Sequence, residues 1–182
     1  MVPGKGREVH QMEFREIAST RRSVRSFSSQ PVEEEKLSRI LAVMNSAPSA
    51  GNLQAFEVCV VRDAARRKAL SEAALSQGFL AAAPVVLVFC ANKIRSATRY
   101  GERGEELYAC QDATIACTYA MLAAADEGLA TTWVGAFDDD AVYRIIGSPE
   151  GLRPVAMLPL GYAAENPGVT SRRRLLELVR FL

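Results

Sequence analysis

A chain of 182 residues with 22 Lys and Arg against 21 Asp and Glu has a net charge of only +1, so it lacks the general positive field from which nucleic-acid-binding proteins draw affinity. The length suffices for one well-buried core, and no Pro/Gly/Ser-rich or highly charged linker divides it. The expectation is one domain over residues 13–182, preceded by an arm, 1–12, rich in Gly, Pro and charge. The apolar runs are too short or too interrupted to span a bilayer, and no charged-then-apolar leader is evident, which points to the cytoplasm and away from membranes.

In chain order, MEFREIAST reads as a short helix with Phe14 and Ile17 inward. It runs into RRSVRSF, Arg21 to Phe27, three arginines within five positions that call for a negative partner. After Pro31, EEEKLSRILAVMNSA has carboxylates in its first turn and Leu37, Ile40, Leu41 and Met44 at helical spacing, predicting an amphipathic helix. In APSAGNLQAF, Ala47 to Phe56, Pro48 and Gly51 force a loop. FEVCVVRD predicts a strand, ARRKALSEAAL a polar-faced helix and PVVLVFCA a strand covered on both faces.

YGERGEEL, Tyr100 to Leu107, has a glycine on either side of Glu102-Arg103 and reads as a loop. From about Glu105 to Glu127 the chain is apolar around most of a helical circumference and closes at Gly128, predicting a buried helix about 30 Å long. Its alanines permit close packing against another helix, as at a subunit interface. TTWVGAF, Thr131 to Phe137, predicts a short strand, with Trp133 a packing residue. Asp138 or Asp139 caps a helix at DDAVYRIIG, and RPVAMLPLGYA predicts the last strand before a charged tail containing SRRRLLELV, Ser171 to Val179. The class is α+β: a sheet of four or five strands, mixed in direction, wrapped by helices around a long central helix.

Cys59, Cys90, Cys110 and Cys117 form no CxxC pair, and the single histidine, His10, sits in the polar leading segment, so the ligand spacing of a metal site is missing. Cys110 and Cys117, seven apart, fit one helix face as small core residues. With no imbedded histidine there is no Ser-His-Asp or Cys-His arrangement, and chemistry would belong to a bound cofactor.

RRSVRSF, APSAGNLQAF, TTWVGAF and SRRRLLELV, in this order and spacing, resemble the nitroreductase-like family of FMN-dependent oxidoreductases, from about Phe14 to the C-terminus. The resemblance implies a homodimer that binds FMN and passes hydride from NADH or NADPH, through flavin N5, to a quinone, nitro compound or similar small aromatic acceptor. It implies that Arg21, Arg22 and Ser23 from one end of the chain, and Arg172 and Arg174 from the other, close on the FMN phosphate, a dianion suited to forked guanidinium donors. Solvated surface charge is the competing reading of these arginines. Arg25 would place a cation at the pyrimidine end of the reduced ring, or instead pair with the acidic run Glu33 to Glu35.

By the same resemblance Pro48, Ser49, Ala50, Asn52 and Gln54 contact the partner subunit's flavin, against the plainer reading of a capped turn. The Ala55-Phe56 pair departs from the Pro-Trp or Pro-Tyr frequent there in the family. Val134 and Gly135, with Ala136, would present backbone near N5, Gly135 permitting close approach. Gln77 would reach the pyrimidine edge, and Tyr100 and Arg103 the substrate. Reductive dehalogenation and a flavin-binding module without turnover remain open alternatives.

Overall fold

The computed structural model describes residues 13–182; the expected arm over 1–12, with His10, lies outside the described residues. The elements are α1 (Phe14–Thr20), α2 (Glu34–Asn45), β1 (Phe56–Val61), α3 (Ala64–Ala73), α4 (Phe79–Ala82), β2 (Val85–Asn92), α5 (Lys93–Arg103), a π turn (Gly104–Tyr108), α6 (Ala109–Asp126), β3 (Ala130–Thr131), α7 (Asp139–Ile145) and β4 (Leu152–Gly161). Three helices start where a carboxylate or amide accepts a free first-turn N–H: Asp63 from Arg66, Asn92 from Arg95, and Asp138 from Ala141.

The strands form one sheet in the order β1-β2-β4-β3, and every ladder is antiparallel. The expected mixture of directions shrinks to an isolated parallel bridge between Ser23 and Thr131. β2 is buried along almost its whole length and divides the core by alternation. Val85, Leu87 and Phe89 pack with Leu37 and Ile40 of α2 and Ala116, Ala120 and Ala124 of α6. Val86, Val88 and Cys90 pack on the other face with Leu70, Leu80 and Val142, from the α3, α4 and α7 side. Each such aliphatic or aromatic side chain contributes about 1.5–3 kcal/mol by leaving water, which is why PVVLVFCA forms the interior of the sheet.

Three boundaries differ from the sequence expectation. Tyr100 to Leu107 is helical: α5 runs through Arg103 with a break at Gly101 (φ 54°, ψ −141°), and the π turn continues into α6. The glycines there serve a kink and a close contact instead of a loop, since a Cβ at Gly104 would strike the Ser96 carbonyl. α6 therefore begins at Ala109, not near Glu105. TTWVGAF is strand only at Thr131, and beyond it the chain touches the sheet through one isolated bridge, Val134 to Met157. Of the two cysteines expected on one face of α6, Cys117 is buried and Cys110 half-buried.

The C-terminal end of α6 is tied to α2. Arg39 forks onto Glu127 at 2.6 and 2.8 Å, and Lys36 donates to the Glu127 carbonyl at 2.6 Å, placing cations at the negative end of the helix dipole. Among the described residues no helix is long and apolar enough to cross a membrane.

Candidate cofactor site

Arg21 terminates α1, its N–H donating to the Ile17 carbonyl, and the next residues lie along β3, with the Val24 N–H donating to Thr131 at 3.0 Å. This lays Arg21 and Arg22 into a cleft of about 250 Å³ whose walls include Ala125 and Gly128 at the end of α6, Thr131, Glu165 and Asn166. Burial, and then the charges of Arg172 and Arg22, hold the Arg21 guanidinium below the usual arginine range. Residues 151 positions apart, Arg21 and Arg172, thus converge.

The other arginines differ in their partners. Arg22 donates to the carbonyls of Ser19 (2.7 Å) and Arg21 (2.9 Å), and Arg172 to the Thr170 hydroxyl at 3.1 Å. Arg174 pairs with Glu177 at 3.1 Å and is exposed. Arg25 is exposed too, and its backbone N–H donates to the Glu165 carboxylate. Two of the three competing partners for Arg25 are engaged elsewhere: Glu33 accepts from the Tyr162 hydroxyl and Glu34 pairs with Arg62. Among the described residues, Arg21, Arg22, Arg25 and Arg172 take part in no ion pair. Half-buried Arg21 and Arg22, with the exposed Arg172 near enough to repel Arg21 and none of the three in an ion pair among the described residues, fit a bound dianion such as a phosphate monoester.

The loop with Pro48 to Gln54 lies at the opposite end of α6. It contains a single 3₁₀ turn, Ala50–Asn52, and three consecutive or near-consecutive left-handed residues, Gly51 (φ 55°), Asn52 (φ 58°) and Gln54 (φ 49°). The Ser49 hydroxyl accepts the Gln54 N–H at 2.9 Å, and the Gln54 amide donates to the Asn52 carbonyl and side chain, both at 3.2 Å. Asp112 anchors the loop from α6: buried to 2% exposure, it accepts the N–H of Ala50 at 2.9 Å and of Ala55 at 3.3 Å. Sequence reasoning gave Asp112 no such role, although a carboxylate in an otherwise apolar stretch of helix was the available signal.

Val134 to Ala136 forms the third group. Val134 is buried and exchanges two 2.9 Å hydrogen bonds with Met157, while Gly135 and Ala136 are exposed. Among the described residues the Gly135 and Ala136 N–H groups have no acceptor, leaving them free to donate to a ligand atom. The Gln77 side chain joins this segment, donating to the Ala74 carbonyl at 2.9 Å and reaching that of Ala136 at 3.4 Å. Trp133 packs against the main core, and a Cβ at Gly135 would approach its indole nitrogen to 3.1 Å.

Within one protomer these groups do not all meet. Asp112, holding the loop, and Ala125, lining the arginine cleft, stand about 20 Å apart along α6 at 1.5 Å per residue.

The sequence model of the nitroreductase family matches residues 18–78 and 71–162, so the Arg172 segment lies beyond the matched region. An NADH dehydrogenase of Thermus thermophilus is 32% identical, covering 92% of this chain and 95% of that protein. An FMN reductase (NAD(P)H) of Bacillus subtilis is 33% identical over 80% of this chain, which spans 64% of that relative. Among solved structures, nitroreductase A from Vibrio parahaemolyticus superimposes with a TM-score of 0.86 at 27% identity, covering 93% of this chain and 76% of that one.

Proposed function

The chain belongs to the nitroreductase family, and from that premise we propose that it is an FMN-dependent NAD(P)H oxidoreductase working as a homodimer, with a quinone, nitro compound or related small aromatic molecule as acceptor. The observation that carries this reading is the split of the candidate site between the two ends of α6. A two-fold axis crossing α6 sets the helix antiparallel to its copy. The Asp112 end of one subunit, with Pro48, Ser49, Ala50, Asn52 and Gln54, then meets the arginine end of the other, and both halves face one ligand.

FMN, when bound, supplies reversible acceptance of a hydride at N5. The chain's residues do the rest. Arg21, Arg22, Ser23, Arg172 and Arg174 hold the phosphate, with Arg21 and Arg172 foremost because their mutual repulsion is relieved by a dianion. Arg25 would lend positive charge toward the pyrimidine end of the ring, and Gln77, beside Ala136, would be the side chain to meet that edge. The N–H groups beside Val134, at Gly135 and Ala136, have no acceptor among the described residues and would be the donors available to the reacting edge of the flavin. Ser49, Asn52 and Gln54 offer hydroxyl and amide groups to the partner subunit's cofactor.

Among the described residues there is no histidine, so no imidazole within residues 13–182 serves as a proton carrier. Donor and acceptor would use one opening above Gly135 in turn, which is a ping-pong scheme. The test is the absorbance spectrum of the purified protein followed by anaerobic titration with NADH and NADPH. A flavin spectrum that bleaches supports the reading; a colourless protein that takes up no FMN, or flavin that neither nicotinamide bleaches, overturns it. Double-reciprocal plots at several acceptor concentrations should be parallel, and intersecting plots would remove the shared opening.

A further inference from the structure

We propose that Arg99, Tyr100, Tyr108 and Arg103 form a subsite for the adenosine 2′-phosphate of NADPH, making this dinucleotide the preferred electron donor. The inference rests on the oxidoreductase reading above and adds which donor the site selects. Along α5 and the π turn these side chains make a continuous series. The Arg99 guanidinium lies 5.5 Å from the centre of the Tyr100 ring, Tyr100 meets Tyr108 edge to face at 5.1 Å, and the Arg103 guanidinium lies 5.3 Å from the Tyr108 ring. Arg103 also donates to the Tyr108 hydroxyl at 2.9 Å.

Their carboxylate neighbours do not answer these charges. Glu105 and Glu106 pair with Lys93, and among the described residues Arg95, Arg99 and Arg103 are in no ion pair. Both guanidiniums are exposed and the two rings half-buried. Cations held on aromatic faces keep their hydrogen-bond donors outward for an anion, and the exposed part of each ring offers a stacking surface to a planar base. A base carrying a phosphate monoester satisfies both features at once.

The series is fastened to the loop that the proposed dimer sets against the flavin. Arg99 reaches the Gly51 carbonyl at 3.4 Å, Arg95 donates to that of Leu53, and a Cβ at Gly51 would collide with the Tyr100 hydroxyl. An extended dinucleotide with its nicotinamide on the flavin has its adenosine end outside the ring site, and this cluster borders that site. An anionic aromatic acceptor offers related chemistry, and the experiment separates the two.

The FMN-loaded protein is titrated calorimetrically with adenosine 2′,5′-bisphosphate and with 5′-AMP, and kcat/KM is measured for NADPH and NADH with one neutral quinone and one benzoate-bearing nitro acceptor. We expect the bisphosphate to bind at least about tenfold more tightly than 5′-AMP. Arg99→Ala and Arg103→Ala should each erase that margin and lower the NADPH:NADH ratio by about tenfold, whereas Arg103→Lys should retain part of both. Equal binding of the two nucleotides, or a ratio untouched by both alanine variants, overturns the proposal. So does a ratio that holds while only the benzoate acceptor is disfavoured. A colourless protein would remove the flavin reading, while the nucleotide titration still reads the subsite on its own.

Discussion

Asp112, a carboxylate 2% exposed within α6, accepts the backbone N–H of Ala50 at 2.9 Å across 62 positions of sequence. Its second oxygen takes the N–H of Ala55, a residue with no exposure at all. Left-handed backbone at Gly51, Asn52 and Gln54 is held in place by such outside contacts, since each non-glycine residue there costs of order 1 kcal/mol or more. Replacing Asp112 with Ala strands two donors, one of them beyond the reach of water. We expect a loss of about 1–3 kcal/mol in urea unfolding together with weaker FMN retention. Asp112→Asn, which keeps one accepting oxygen, should fall between the variant and the native chain. Unchanged unfolding and full FMN content in Asp112→Ala would show that the loop holds its shape without the carboxylate.

Arg21 and Arg172 are the pair expected to matter most for the phosphate. Each lost charge-assisted hydrogen bond costs about 1.5–3 kcal/mol, so Arg21→Ala with Arg172→Ala should give a folded protein that loses FMN on dialysis. Arg174→Ala should be milder, because Arg174 already has Glu177 at 3.1 Å. Equilibrium dialysis with a far-ultraviolet spectrum as the folding control measures both. Stoichiometric FMN in the double variant would send the phosphate elsewhere.

How much of this was legible beforehand depends on the range of the interaction. PVVLVFCA, the cap at Asp138 and the amphipathic α2 are written in local pattern, and they sit where the pattern puts them. Gly101 and Gly104 show the limit: a glycine reads as loop punctuation, yet here one bends a helix and the other makes room for the Ser96 carbonyl, a distinction made by partners and not by neighbours in sequence. TTWVGAF has strand composition but is strand only at Thr131, and beyond it meets β4 at a single bridge, Val134 to Met157. The arginine and Ser/Asn/Gln segments were visible as candidates. That they occupy opposite ends of α6 was not, since it depends on the packing of a helix whose composition is nearly apolar on all sides.

That separation leads to the oligomeric prediction. A ligand held by loops of two subunits strengthens their association by linkage. We expect a homodimer with two flavins by light scattering, a lower melting temperature after FMN is stripped, and a stronger dependence of that temperature on protein concentration in the stripped form. A monomer binding FMN tightly would contradict the two-ended site.

Cys59 supplies a test independent of the cofactor. On β1 it stands opposite Val88, while Cys90 stands opposite Glu57, so the two cysteines are diagonal neighbours across the β1-β2 ladder. Both face the core on the α3 and α7 side. The neighbouring Cys90 thiol brings the Cys59 thiol down to about 7, against the opposing effects of burial and of Glu57. Cys59 and burial in turn push Cys90 up, and burial pushes Cys117 up. Iodoacetamide, which needs the thiolate, should therefore modify Cys59 in the native protein with a rate that rises through about pH 7, leaving Cys90 and Cys117 intact. The sign for stability follows from the lowered value: the contribution of Cys59 is complete above the unfolded thiol's pKa and is lost as the pH falls through about 7. Cys90→Ala removes that neighbouring thiol, and the alkylation profile of Cys59 should move toward the ordinary thiol range. A profile that stays in place in Cys90→Ala would mean that the cross-strand sulfur contact does not set the acidity of Cys59.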